Sequence, residues 1–117
     1  MCGFAGFLRP GGVDPDAAAP LARSMADRVA HRGPDDADTW VDGDAGVALG
    51  HRRLSIVDLS PAGRQPMTSA SGRYVIAFNG EIYNHLDLRS SVRVDRWRGT
   101  SDTESLLAAF DAFGVDD

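Results

Sequence analysis

Small and apolar residues alternate from Gly3 to Leu8 and stop at Arg9-Pro10-Gly11-Gly12, a pattern that predicts a strand running into a loop almost from the first residue. Asp14 and Pro15 suit the N-cap and first position of a helix, Leu21, Met25 and Val29 recur every four residues along it, and Gly33-Pro34 closes the segment. Trp40-Val41, Gly46 to Leu49 and Arg53 to Val57 are expected as successive strands separated by Asp and Gly turns. Tyr74 to Phe78 is a nearly continuous apolar run that meets Asn79-Gly80, a strong short hairpin signal, before Glu81-Ile82-Tyr83. Asn84 offers a cap to a short helix carrying Leu86 and Leu88. Ser101 with Glu104 forms a capping-box pattern, Leu106, Leu107, Phe110 and Phe113 share a face, and Gly114 stops the last helix. There is no internal repeat and no low-complexity tract.

The chain has 117 residues, 43% of them apolar, which is enough for one hydrophobic core and too little for two ordinary domains. Twelve basic residues, all arginine, against 17 acidic ones leave a net charge of −5 with no basic run, so nothing points to nucleic acid as a partner. No apolar run approaches the ~18 residues of a membrane span, and the amino terminus lacks the basic and apolar regions of a signal peptide. A single cysteine rules out an internal disulfide and fits a reducing compartment, so a cytoplasmic location is the expectation.

That cysteine, Cys2, stands one bond from the initiator methionine. Removal of Met1 would put a thiol and a free α-amine on the same residue. The two groups ordinarily titrate within about one pH unit of each other, so the amine could serve as the base of an activated nucleophile without any histidine. The plainer alternative is a small buried side chain. Other segments carry charge or glycine at strand ends. His31-Arg32-Gly33-Pro34-Asp35 can be read simply as the basic end of a helix. His51-Arg52-Arg53 can be read as a solvated edge strand, or as a source of one guanidinium that grips an anionic substrate group, with Arg52 and Arg53 equally placed by spacing. Asn79-Gly80 is a tight turn in one reading. In the other it aims a side-chain amide and a backbone N–H at a developing oxyanion. Asp102 can favour the start of the last helix, or bind an ammonium group. An arginine, an aspartate, a pair of oxyanion donors and a thiol suit an amino acid whose far end is an amide, and free glutamine is such a molecule. His31, His51 and His85 lack metal-ligand spacing, so no metal site is expected, and the chemistry does not require a Cys–His dyad.

Cys2-Gly3 with Gly6, His31 to Asp35, Gly50-His51-Arg52-Arg53-Leu54-Ser55-Ile56-Val57-Asp58, Gln65-Pro66-Met67, Asn79-Gly80-Glu81-Ile82-Tyr83-Asn84 and Ser101-Asp102-Thr103-Glu104 occur in that order. In this the chain resembles the glutaminase domain of glutamine-hydrolysing asparagine synthetases, a branch of the class II glutamine amidotransferases. The resemblance implies an α+β, four-layer αββα N-terminal-nucleophile hydrolase fold. It implies Cys2 as nucleophile, Asn79 and Gly80 as oxyanion hole, Arg53 on the substrate carboxylate, Asp102 on its ammonium, and Leu54, Ile56 and Glu81 completing the glutamine pocket. It also implies that residues 1–117 form the N-terminal portion of such a domain, with the sheets cut short at Asp117 and no synthetase domain present. ATP and Mg²⁺ would belong to that absent domain, and no cofactor is expected in this chain. The expected partners are glutamine and a synthetase domain or subunit, or a second copy that completes the fold. The same glutaminase half could serve another ammonia acceptor, or the chain could be a non-catalytic fragment acting as an interaction module.

Overall fold

The computed structural model describes residues 2–54, 60–94 and 96–116. Strand β1 runs Gly3–Leu8, as the alternation predicts, and helix α1 spans Pro15–Asp27. Asp14 caps that helix by accepting a hydrogen bond from the Asp16 N–H at 3.0 Å, so its start is set by local chemistry. A single 3₁₀ turn at Ala30–Arg32 follows the helix and contains the basic residues read as its end. Strands β2 (Asp36–Asp42) and β3 (Val47–Arg53) complete an antiparallel sheet in the order β1-β3-β2.

Two sequence expectations are corrected here. The expected break between Gly46–Leu49 and a strand starting at Arg53 is not there: β3 runs unbroken through Gly50, His51 and Arg52, while residues 55–57 lie outside the described residues. β3 is also the central strand, so His51-Arg52-Arg53 is not a solvated edge. The second correction concerns α1, which buries Ala18, Ala22 and Ala26 and leaves Leu21 half exposed. The cause is close approach. A Cβ on Gly50 would sit 2.5 Å from the Ala22 carbonyl oxygen and 2.9 Å from the Ala26 Cβ. Only small side chains fit a helix lying that near the sheet. Ala18, Ala22 and Ala48 form the core there, with Phe7, Val13 and Val41 packed around them.

Alternation along the strands puts Val47, Leu49, His51 and Arg53 on the face of the sheet opposite α1. Phe4 and Leu8 share that face and are 49% and 68% exposed. Beyond a 3₁₀ turn at Pro61–Gly63, the short strands β4 (Met67–Thr68) and β5 (Val75–Ile76) pair as a second antiparallel ladder. The hairpin expected at Asn79-Gly80 does not form. A two-residue turn of the favoured type needs positive φ at the asparagine, and no described residue other than glycine has positive φ. Helix α2 covers His85–Ser91 with no side-chain cap from Asn84, and its Leu86 is exposed. Helix α3 covers Asp102–Phe113. Ser101 caps it by accepting from the Glu104 N–H at 3.1 Å, and Gly114 ends it with φ 83°. Of its expected apolar face, Leu107 is buried and Phe113 is half exposed.

Candidate active site

Extending the β1–β3 register by one residue brings Cys2 opposite Arg53, on the face turned away from α1. The Leu54 N–H donates to the Cys2 sulfur at 3.3 Å, and the thiol in turn lies 3.6 Å from the Leu54 carbonyl oxygen. The backbone at the end of the central strand therefore fixes the thiol. Arg53, 6% exposed, donates from Nη1 to the Ser60 carbonyl at 2.7 Å. Its neighbour Arg52 points to the other face, donating to the Gly33 carbonyl at 3.0 Å and pairing with Asp27 at 3.2 Å. Strand alternation thus decides between two arginines that spacing left equal.

The segment 78–83 and the start of α3 close the space above Cys2. A cavity of ≈ 360 Å³ is lined by Cys2, Arg53, Leu54, Asn79, Gly80, Glu81 and Asp102, together with Gly63, Gln65, Phe78, Tyr83, Ser101 and Thr103. Its size lies in the range of about 300–1,000 Å³ usual for small-molecule sites. Seven of the eight residues singled out from sequence therefore meet at one cavity. The eighth, Ile56, lies outside the described residues. Asp102 anchors two backbone groups, accepting from the Ile82 N–H at 2.8 Å and the Thr103 N–H at 3.0 Å. That ties the 80s segment to the helix start. Glu104 departs from the reciprocal capping box: its carboxylate accepts instead from the N–H groups of Arg98 and Gly99, at 2.8 and 2.9 Å. Arg89 stacks on Trp97 with 4.0 Å to the ring centroid and donates to the Ser101 carbonyl at 3.1 Å, bracing α2 against the same corner.

Two residues with no assigned part in the sequence analysis hold this arrangement. His51 is wholly buried, and its Nε2 lies 3.2 Å from the Phe78 carbonyl oxygen. Burial lowers its pKa below 6.5, helped by the charge of Arg53 and opposed by the Phe78 contact and Asp36. Gln65, 6% exposed, accepts the Phe78 N–H at 2.6 Å and donates to the Thr103 hydroxyl at 3.2 Å. Nearby, partial burial works against ionisation of Asp36. The Arg64 hydrogen bond at 2.8 Å, the Ala37 N–H and the charges of Arg64 and Arg53 outweigh it and hold the carboxyl below its usual value. Among the described residues no group of three or more His, Cys, Asp and Glu is placed to hold a metal ion, and no helix is long and apolar enough to cross a membrane.

A small mixed α/β domain whose thiol opens on a cavity that also holds a guanidinium and carboxylates has the build of an enzyme domain. The chain belongs to the glutamine amidotransferase family, whose domain model matches residues 1–117. It is 44% identical, over 74% of its length, to asparagine synthetase (glutamine-hydrolyzing) 3 of Bacillus subtilis, and 36% identical, over 98%, to asparagine synthetase (glutamine-hydrolyzing) 2 of the same organism. It is 33% identical, over 98% of its length, to a protein of Gibberella zeae named amidase chry2. These alignments cover 14%, 15% and 18% of the three proteins, and the chain spans a fifth or less of the curated relatives it matches.

Proposed function

We propose that the chain is the glutaminase part of a glutamine-hydrolysing asparagine synthetase. The observation that carries this is the convergence, at one cavity, of Cys2, Arg53, the Asn79-Gly80 pair and Asp102, which lie up to a hundred residues apart in sequence. The charges complement a zwitterion: Arg53 takes the α-carboxylate of glutamine and Asp102 its ammonium, with Leu54 and Glu81 completing the pocket. Once Met1 is removed, the α-amine of Cys2 takes the thiol proton and the sulfur attacks the side-chain amide carbon. The Asn79 amide and Gly80 N–H stabilise the oxyanion, an effect worth about 3–4 kcal/mol per donor in other enzymes. The amine then returns the proton to the departing nitrogen, which leaves as ammonia, and water hydrolyses the glutamyl thioester. The ammonia goes to an ATP- and Mg²⁺-dependent synthetase domain or subunit that amidates aspartate in the cytoplasm.

The fold proposed to hold this pocket is the four-layer αββα arrangement of N-terminal-nucleophile hydrolases, of which residues 1–117 form the N-terminal portion. Half-exposed Phe4 and exposed Leu8, on the sheet face away from α1, support a second sheet stacking there, supplied by the same protein, a synthetase subunit or another copy. A second reading keeps the glutaminase and changes the acceptor of ammonia; one relative carries the name amidase rather than asparagine synthetase. Glutamate release from glutamine, measured for the wild type and Cys2→Ala with mass spectrometry of the amino terminus, tests the common core of both. Turnover that survives in Cys2→Ala removes the thiol from the chemistry, and retained Met1 in active protein removes the amine as base. Adding aspartate and ATP, and looking for asparagine, separates the two acceptors.

A further inference from the structure

The Gln65-Pro66-Met67 segment is assigned no role in the glutaminase reading above, yet Gln65 is one of the most buried polar side chains at the cavity. Its surroundings explain why. The β4–β5 ladder pairs Met67 with Ile76 and Thr68 with Val75, and the same register carried back pairs Pro66 with Ala77 and Gln65 with Phe78. Pro66 has no N–H to continue the ladder. The Gln65 side chain continues it instead, its carbonyl oxygen accepting the Phe78 N–H at 2.6 Å. On the other side of the same residue, the Phe78 carbonyl lies 3.2 Å from His51 Nε2. A carbonyl can only accept, so the ring carries its proton on Nε2. The Phe78 ring in turn packs against Gly80, where an added Cβ would come within 2.8 Å of it. Phe78 is thereby held at its N–H, its carbonyl and its ring. It is also the residue from which Asn79 and Gly80 depart.

The other end of the Gln65 amide reaches the opposite wall. Its nitrogen donates to the Thr103 hydroxyl at 3.2 Å, and the Thr103 N–H donates to the Asp102 carboxylate at 3.0 Å. One buried amide therefore spans from the proposed oxyanion donors to the proposed ammonium site. Both its polar ends are engaged, one on each wall.

We propose that Gln65 is a positioning residue for glutamine hydrolysis: by bridging Phe78 and Thr103 it fixes the Asn79-Gly80 donors in register with Asp102. This rests on the glutaminase reading and deepens it. Gln65→Met keeps the length and loses both bonds, whereas Gln65→Glu keeps an acceptor for the Phe78 N–H and lets the Thr103 hydroxyl turn to donate to the carboxylate. In the full-length protein, Gln65→Met lowers kcat for glutamate release by about 10- to 100-fold with KM changed less than about threefold, the size expected when an oxyanion donor is misplaced rather than removed. Gln65→Glu recovers most of that loss. Alkylation of Cys2 by iodoacetamide forms no oxyanion, so its rate stays within about twofold of wild type in both variants. Thr103→Val removes only the second anchor and lowers kcat by about 3- to 10-fold, which keeps the test open where Gln65→Met does not fold. Wild-type kcat in Gln65→Met or in Thr103→Val overturns the proposal, as does an equal loss in Gln65→Glu or alkylation that falls in parallel with turnover. A wild type that does not hydrolyse glutamine overturns the glutaminase reading itself, a result distinguishable from any of these.

Discussion

Gly33 lies outside the cavity lining, yet Gly33→Ala is predicted to disable the site. Gly33 is buried against the end of β3, where an added Cβ would come within 2.5 Å of the Arg53 nitrogen and closer still to the Arg52 carbonyl group. Ordinary contacts of these atoms start at about 3.4 Å, so the strand and the 30s segment must part by on the order of 1 Å. Backbone atoms cannot rotate away as a flexible side chain would. The two segments are also tied together, by the Arg52 guanidinium on the Gly33 carbonyl at 3.0 Å and the Asp35 N–H on the Arg53 carbonyl at 2.9 Å. Displacement at Arg53 passes directly to Leu54, whose N–H holds the Cys2 sulfur. Overpacking of this kind costs about 1–3 kcal/mol, and a misplacement near 1 Å in a reacting group costs about 100-fold in rate. The assay pairs thermal unfolding with steady-state glutamate release by the full-length protein. Gly114→Ala serves as the control: it meets no atom within 4 Å, its φ of 83° with ψ of 171° makes it cost about 1–3 kcal/mol, similar to the overpacking at Gly33, and it sits at the far end of α3. Gly33→Ala should lose far more turnover than Gly114→Ala at temperatures where both are folded. Equal activity in the two variants would refute the reasoning.

Asn79→Ala should lower kcat for glutamine by about 100- to 1,000-fold with little change in KM, while Asp102→Asn should raise KM by about 10- to 100-fold and spare kcat; the opposite split would reassign both roles. His51 should make the fold acid-sensitive. With its folded pKa lowered from 6.5, the unfolded chain takes up a proton that the folded chain refuses. Its contribution is therefore present above pH 6.5 and falls below it, by up to about 1.4 kcal/mol per pH unit. Denaturant titrations between pH 6.5 and about 5 should give a flatter stability curve for His51→Gln than for wild type, and parallel curves would contradict this. Glu104→Gln turns one acceptor oxygen toward two backbone N–H donors and should cost about 1–3 kcal/mol in thermal or denaturant unfolding; an unchanged midpoint would show that the Arg98 and Gly99 contacts contribute nothing.

Those parts of the fold that depend on chemistry between near neighbours were legible in the sequence. Asp14 and Ser101 start their helices by bonding to N–H groups two and three residues on, so the signal and its cause are local. Strand β1 follows its alternation because one side chain in two meets α1 or the core. The face of α1 was not legible. Leu21, Met25 and Val29 share the same four-residue spacing as Ala18, Ala22 and Ala26, and periodicity cannot rank two such sets. What chose the alanines is Gly50 on another element, which lets the helix come too close for leucine. The expected hairpin at Asn79-Gly80 failed for a similar reason, since the side chains of Gln65 and His51, distant in sequence, take the Phe78 N–H and carbonyl that a hairpin would pair across the turn.

The candidate site shows the same division more sharply. Cys2, Arg53, Asn79, Gly80 and Asp102 stand out in sequence because each carries a group that can act on a substrate. Gln65 and His51 carry such groups too, and each bonds the backbone of Phe78, a residue 13 and 27 positions away, as Arg53 and Asp102 also bond main-chain groups. A side chain whose partner is a main-chain N–H or carbonyl leaves no trace in the identity of that partner, because every residue but proline offers both. Sequence can therefore name the groups proposed to meet glutamine, while the groups proposed to aim them become visible only through strand register. Here that register places Gln65 across from Phe78 and Cys2 across from Arg53. The residues proposed as nucleophile, carboxylate grip and oxyanion donors are thus aligned by two short antiparallel ladders, and a one-residue slip in either would turn its residue to the wrong face.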